Sequence, residues 1–592
     1  MWRYIPARMS NSEAWDVVVC GGGLAGLTLG LQLRKRFPEA RVLVVERQLR
    51  PLPDACHKVG ESSVEVGAHY FEKVLGLRPY LDARQLRKNG LRFFSGVKGA
   101  KLNERCEYGP SEQPKVPSFQ LDRGRFENDL RAMLEESGAS LREGWGVRDV
   151  ELAEGEAPHR VVLVGPKAET ETVSARFVVD ATGRRRLLQK KLGLHRDAPH
   201  QASAAWFRVK GRFDVADLVE PSETAWHARD VDKKRWLSTV HLCGTGYWFW
   251  LIPLATDHWS LGIVAESASH DYRAFSKPET ARAWIAEHEP YVAKKLEGVP
   301  FEDFIAMKDY RHDSERVMSA ARWSCVGEAG VFVDPLYSPG SDFIGMANSL
   351  TCELIGDMLA GRLTEERADE LNRFMLRFED LTTDTLALGS QVFGKPEVVA
   401  AKLYWDYLQY WAFVCQYFFQ KIYALPVPEH RRFSAMLDRW IAQNQRVQSV
   451  LQAWARLAPD TPSVEQVGLP HFPSTLADLH LDLLKEKAPD ETYADMEAAL
   501  AVGQEVLTEL VLRALRRAGP ERAEALAREL GVAGWDLRIE EQRLTADEAD
   551  PKVRRKLLPP RIRDVERALG KTAPSSPDAP RLRELLAIAS LG

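Results

Sequence analysis

Residues 15–46 read WDVVVCGGGLAGLTLGLQLRKRFPEARVLVVE, and the fold turns on this stretch. WDVVVC (15–20) is a run suited to a buried strand, AGLTLGLQLRKRF (25–37) carries apolar residues at helical spacing, and RVLVVE (41–46) is a second buried strand. Between the first strand and the helix, GGGLAG sets Gly21, Gly23 and Gly26 in a GxGxxG pattern. The first glycine of that pattern permits a sharp turn, the second lets the backbone approach a pyrophosphate, and the third lets helix and strand pack closely. The helix N-terminus then presents free N–H groups and a positive dipole end to the phosphates. Glu46 ends the second strand, where a carboxylate can accept hydrogen bonds from ribose hydroxyls. The stretch predicts a dinucleotide-binding βαβ unit.

The chain of 592 residues is too long for one small core, and about 150 residues per domain suggests two to four units. A net charge of −4 gives no global basic field to favour nucleic acid or an anionic membrane. The seven cysteines (20, 56, 106, 243, 325, 352, 415) form no CxxC pair, so neither a disulfide framework nor a metal site is expected. Reduced thiols fit a cytoplasmic protein. No leader-like apolar stretch and no run of about eighteen apolar residues occurs, so no transmembrane segment is expected.

Beyond residue 100, a helix-like segment at 123–137 precedes strand-like runs that end in DATG (180–183). Residues 203–265 alternate as antiparallel strands do, and 322–359 read as strand, glycine-rich loop and helix. From about 366 the pattern is helical and increasingly charged, with proline-rich joints near 424–428, 458–473 and 558–560. The expected fold is α/β: a Rossmann-like domain over 1–365 with an inserted, mainly antiparallel sheet (about 190–320). An aromatic-rich helical region (366–475) and a charged helical region (476–592) follow.

Three further segments carry a resemblance. Leu121-Asp122-Arg123, with Phe126-Glu127 and Leu130, resembles the arginine-bearing segment of the p-hydroxybenzoate-hydroxylase type of FAD protein. Asp180-Ala181-Thr182-Gly183 resembles that superfamily's DATG strand end, and Val326-Gly327-Glu328-Ala329 its later GDA motif, with Glu328 in place of Asp. The resemblance implies FAD as cofactor, held by Gly21, Gly23, Gly26, Glu46, Arg123, Asp180, Gly183, Gly327, Glu328 and Gly340. No second GxGxxG is present, so no separate nicotinamide unit is visible.

Within that superfamily, Trp248-Phe249-Trp250-Leu251-Ile252-Pro253 matches the WxWxIP motif of the flavin-dependent halogenases. Propensity alone reads it as an aromatic strand. Gly60-Glu61-Ser62-Ser63 resembles their GE[AS]T segment, and Lys88 falls where their catalytic lysine precedes a short strand. The resemblance implies that Trp248 and Trp250 flank the passage between flavin and substrate. It also implies that Lys88 carries the electrophile made from a flavin C4a-hydroperoxide and halide, with Ser338 in the adjoining loop. A buried lysine can offer a free amine, whereas Arg87 stays protonated.

In the loop FVDPLYSPGSDF (332–343), Tyr337 stands where tryptophan halogenases carry a glutamate, and Ser338 and Gly340 are as expected. The resemblance implies that chloride or bromide sits against consecutive backbone N–H groups of this loop, a small anion nest that here falls on Ser338, Pro339 and Gly340. Pro339 has no N–H to give. One donor to a partly desolvated anion is worth roughly 1.5–3 kcal/mol, so Ser338, Gly340 or Ser341 must compensate.

The family implies an FADH2-dependent halogenase acting on an electron-rich aromatic substrate, free or carrier-tethered, with a separate NAD(P)H flavin reductase. An FAD monooxygenase or dehydrogenase that uses no halide is the alternative, and a non-catalytic flavin-binding sensor or partner protein is another. Residues 402–425 are dense in aromatics at helical spacing. They suit a core or an inter-subunit contact in a homodimer, or else a pocket wall built from Tyr404, Tyr407, Trp411 and Phe418. Residues 476–592 alternate acids and bases as solvated or partner-facing helices do.

Overall fold

The computed structural model describes residues 15–53, 58–198, 200–387, 389–458 and 474–532. The opening βαβ unit forms as expected. Strand Trp15–Cys20 runs through the turn into helix Leu24–Arg36 and returns as strand Val42–Glu46, parallel to the first. Trp15–Cys20 lies centrally, flanked by Val42–Glu46 and by Thr170–Asp180, with Ser140–Glu143 and Trp323–Cys325 continuing the parallel sheet on either side. Val17, Val18 and Val19 are fully buried, as the run VVV requires in a strand covered on both faces. A short antiparallel ladder, His159–Val164 with Gly146–Glu151, leans on the long strand.

The second sheet is the inserted one. Its order is Ile305–Met307, Ala202–Lys210, His258–Glu266, Tyr247–Leu254, Thr239–Gly244, Leu91–Ser95 and Cys106–Tyr108. All its pairings are antiparallel except that of Thr239–Gly244 with Leu91–Ser95. The chain therefore adopts the expected α/β class with an inserted antiparallel sheet. The strand Leu91–Ser95 comes from outside the 190–320 stretch, and it carries the Lys88 loop onto this sheet.

The helical region folds back onto the sheets. One apolar cluster runs from Val17 through Phe374, Trp405, Trp440 and Leu507 to Val532. Trp405 and Trp440 stack at 5.2 Å between ring centres, and Phe413 lies 4.0 Å from Trp440. Helix Pro489–Ala518 buries Tyr493, Met496, Leu507 and Leu510. Arg432–Asp490 and Arg439–Glu497 pair helix Val427–Leu457 with it along the rim. The charge alternation read as solvated or partner-facing helices is thus, over 476–532, the outer edge of a packed pair; residues 533–592 lie outside the described residues. The six described cysteines are buried and unpaired, and Cys56 lies outside the described residues.

Candidate active site

Two cavities meet at Pro339. The larger, about 420 Å³, runs along the C-terminal ends of the parallel strands, where open α/β sheets bind their ligands. Gly23, Gly183 and Gly340 line it, and a Cβ built on any of them meets nothing within 4 Å. The other two glycines of the turn do different work. A Cβ on Gly21 (φ +122°) would come 2.2 Å from Ala181 O, and one on Gly26 would come 1.9 Å from Gly21 O. Gly21 and Gly26 shape the turn, and Gly23 leaves the space beside it.

The rest of the cleft suits a dinucleotide. Helix Leu24–Arg36 has no side-chain cap, so its first N–H groups are free for phosphate. Lys58 and Arg123, both paired with Glu127, and Arg184 line the wall, and the buried Nε of Arg123 has no partner among the described residues. Glu328, on the turn Gly327–Ala329, faces the cleft with no hydrogen bond to its carboxylate among the described residues. Burial pushes its carboxyl up, while Arg184, Arg123 and Lys58 oppose this. Glu46 holds the turn instead, its Oε2 accepting from Gly22 N at 2.7 Å. Asp180 is fully buried. Its Oδ1 accepts from Thr182 N and Oγ1, and its Oδ2 accepts from Leu188 N at 2.7 Å. Both oxygens are thus committed to its own loop, and Ala181 and Gly183 reach the cleft in its place.

The inserted sheet closes the cleft with Trp206, Trp248 and Trp250. Trp248 and Trp250 lie 5.7 Å apart, and Trp250 Nε1 donates to Ser260 Oγ at 3.1 Å. Both indoles stand on the cleft side, not in the second cavity.

The second cavity, about 100 Å³, is lined by Lys88, Glu65, Leu336, Asp342, Tyr407 and Trp411, among others. Lys88 is 1% exposed, and its Nζ donates to Ser62 Oγ (2.8 Å) and Ser63 O (2.9 Å). Ser62 lines the larger cleft. Lys88 therefore occupies the partition between the two cavities. Burial lowers its pKa to about 7, against the opposing pull of Glu65 and Asp342.

Comparison with known proteins agrees with this geometry. The FAD binding domain family matches residues 14–302. The flavin-dependent halogenase chlA of Dictyostelium discoideum is 23% identical over 442 residues, covering 70% of this chain and 72% of its own. The 1H-pyrrole-2-carbonyl-[peptidyl-carrier protein] brominase of Pseudoalteromonas luteoviolacea is 27% identical, over 57% of this chain and 75% of its own. The crystal structure of halogenase PltM superposes with a TM-score of 0.63 at 16% identity, over 81% of this chain and 96% of that one. Over 56–70% of its length the chain is similar to flavin-dependent halogenases. It is an FAD-dependent oxidoreductase.

The loop that joins the two cavities is strained. Tyr337 (φ +64°) and Ser338 (φ +62°) are consecutive left-handed non-glycine residues. Tyr337 OH donates to Asp406 Oδ2 at 2.6 Å, and Asp406 pairs with the fully buried Lys402 at 3.0 Å. Ser338 N is spent on Pro335 O (2.9 Å), and Pro339 has no N–H. The donors left at this point are the first N–H groups of helix Gly340–Leu359 and the hydroxyl of Ser341, which is buried on the cleft wall and without a partner among the described residues.

The pocket wall expected on one helical face needs correction. Tyr407 and Trp411 line the second cavity, but Tyr404 and Phe418 are core residues. A π-helical turn over Tyr410–Cys415 adds a residue to the repeat and rotates Phe418 away, while Tyr410, three residues after Tyr407, shares its face. Glu65, Asp342, Asp406 and His480 join the site without any signal in the sequence. Glu65 lies two residues past the GESS segment, and His480 lies 415 residues further along the chain. No local spacing could join them.

Gly23→Val should keep the apoprotein's melting temperature but lose FAD, whereas Gly26→Val should lose both, as fluorescence melting and flavin content after desalting would show. Lys88 releases its proton near pH 7 when folded but near 10.5 when unfolded, so the unfolded chain holds the extra proton across that window and stability rises with pH through it. Lys88→Met should therefore melt several degrees above wild type at neutral pH, with the gain shrinking as pH approaches the ordinary lysine value.

Proposed function

We propose that the chain is a two-component, FADH2-dependent halogenase of electron-rich aromatic substrates. The observation that carries this reading is the place of Lys88, enclosed by protein between a flavin-sized cleft and an aromatic-lined chamber, where burial lowers its pKa. FAD held by the glycine turn, Arg123 and the Glu328 turn would, when reduced, supply hypohalous acid from oxygen and halide. The chain's own residues then guide it: Trp248 and Trp250 wall the cleft, Ser62 and Lys88 form the partition, and Lys88 Nζ holds the electrophile by hydrogen bond or as a haloamine facing the chamber. The absence of a second nucleotide-binding motif in the sequence supports delivery of FADH2 by a separate NAD(P)H flavin reductase. Halide binding rests on the Gly340 and Ser341 N–H groups and the Ser341 hydroxyl, which together stand in for the donor missing at Pro339. One relative is named for a substrate tethered to a peptidyl-carrier protein. The chamber of this chain, at about 100 Å³, suits a single free ring.

Pro339 also favours a second reading, an FAD monooxygenase that uses no halide. The two separate in one assay. Enzyme supplied with reduced FAD, oxygen, bromide and an activated phenol should give a product with the bromine isotope doublet. NAD(P)H consumption without added reductase, and oxygen insertion in its place, would mark the monooxygenase. Lys88→Ala should bind FAD normally yet lose bromination; unchanged product formation would remove the lysine from the mechanism. Ser341→Ala should raise the KM for bromide roughly ten- to a hundredfold, from the 1.5–3 kcal/mol of one hydrogen bond to an ion, with the KM for the phenol unchanged.

A further inference from the structure

We propose that the chamber beside Lys88 takes a phenol, and that His480, oriented by Glu65, accepts the proton of its hydroxyl. Only the chemistry after ionisation rests on the halogenase reading. His480 sits on helix Ser474–Asp482, which the charged C-terminal region contributes to the chamber wall. Its Nε2 lies 3.2 Å from Glu65 Oε1, and its ring packs 4.7 Å from that of Trp411. Both residues of the pair are largely buried, with side-chain exposures of 7% and 13%. His480 and its own N–H hold the Glu65 carboxyl below the usual range despite burial, so Glu65 is an anion at neutral pH. An anionic partner fixes the proton on Nε2 and leaves Nδ1 as the lone-pair nitrogen. Nδ1 has no hydrogen bond among the described residues.

The other ionisable groups facing the chamber are already committed. Asp342 accepts from Gly67 N (2.8 Å) and Tyr410 OH (2.6 Å), and Asp406 from Tyr337 OH and Lys402. Lys88 donates to Ser62 and Ser63. Tyr407, a weak acid made weaker by burial, offers no base. Among the described residues, His480 is the one side chain there with both a spare acceptor and a carboxylate to stabilise its protonated form. An apolar, aromatic-lined chamber with a single imidazole acceptor suits an aromatic ring bearing a hydroxyl, and an indole or pyrrole N–H is far less acidic.

The step balances. The phenol proton moves to Nδ1, giving a phenolate and an imidazolium beside the Glu65 carboxylate. The phenolate's ring carbon attacks the halogen of hypohalous acid held at Lys88. The C–X bond forms, the X–O bond breaks, and the departing hydroxide takes a proton from the Lys88 ammonium to become water. The ring C–H proton then passes to the Lys88 amine, and the imidazolium returns its proton to the oxygen. The net change is a phenol and hypohalous acid converted to a halophenol and water.

The test uses 4-nitrophenol as probe with the oxidised FAD-loaded enzyme, without halide or reductant, so that it reads ionisation and not turnover. Bound probe should show its yellow phenolate band about one pH unit below the free probe. His480→Gln and Glu65→Gln, checked for FAD content and melting temperature, should return the bound probe to the solution value. Both variants should lower kcat for bromination of the phenol and move its pH profile towards alkaline. Failure of the wild type to bind the probe would overturn the proposal, as would bound probe with the solution ionisation constant or variants that ionise it as wild type does. If wild type ionises the probe but brominates nothing, the phenol site stands and the halide reading fails.

Discussion

Lys88 is enclosed by protein, yet its two hydrogen bonds go to neutral oxygens, Ser62 Oγ and Ser63 O. Such an amine must give up its proton or rely on carboxylates nearby, because an unpaired buried ammonium is costly. Glu65 and Asp342 are near enough to oppose the loss, but burial outweighs them. The surrounding arrangement follows from this balance. Were either carboxylate to close on Nζ as an ion pair, the lysine would be a fixed cation and could not offer a free amine. Asp342 is kept back by Gly67 N and Tyr410 OH, and Glu65 by His480.

This constraint explains why half of the site is legible in the sequence and half is not. The cofactor side is built from local chain. The turn at 21–26, its strands and its helix are contiguous, and the steric need for glycine at 21 and 26 is absolute. Resemblance locates the Asp180 segment but cannot say where its oxygens point; that depends on Thr182, which donates to one, and on the helix beginning at Leu187, whose Leu188 N–H donates to the other. The substrate side is assembled from residues 65, 88, 342, 410 and 480, on separate elements. Only Lys88 among these carries a recognisable signal. A constant helical period misplaces the end of the aromatic helix, because one π-helical turn is enough to rotate Phe418 away from the chamber wall.

The helical region therefore does more than cover the sheets. Through Tyr337, Asp406 and Lys402 it grips the loop between the cavities, which holds two left-handed residues in succession. Each such residue costs of order 1–3 kcal/mol and persists only where its surroundings over-determine it. The fully buried Lys402, bonded to Thr385 O and Asp406, provides that determination. Tyr337 thus brings a carboxylate to the loop from another part of the chain, at the position where a glutamate of the loop itself would otherwise stand.

Pro339 belongs to the same logic. Its φ of −74° is one that proline adopts without strain, directly before helix Gly340–Leu359, where a missing N–H costs no helical hydrogen bond. A residue that lines both cavities and follows two strained positions gains most from a rigid φ. The cost is one donor on the cleft side, and there the Ser341 hydroxyl is left without a partner. A buried hydroxyl of that kind is normally satisfied. It stands beside the start of a twenty-residue helix that has no side-chain cap, so a dipole end and a hydroxyl donor lie together where proline removes a backbone donor.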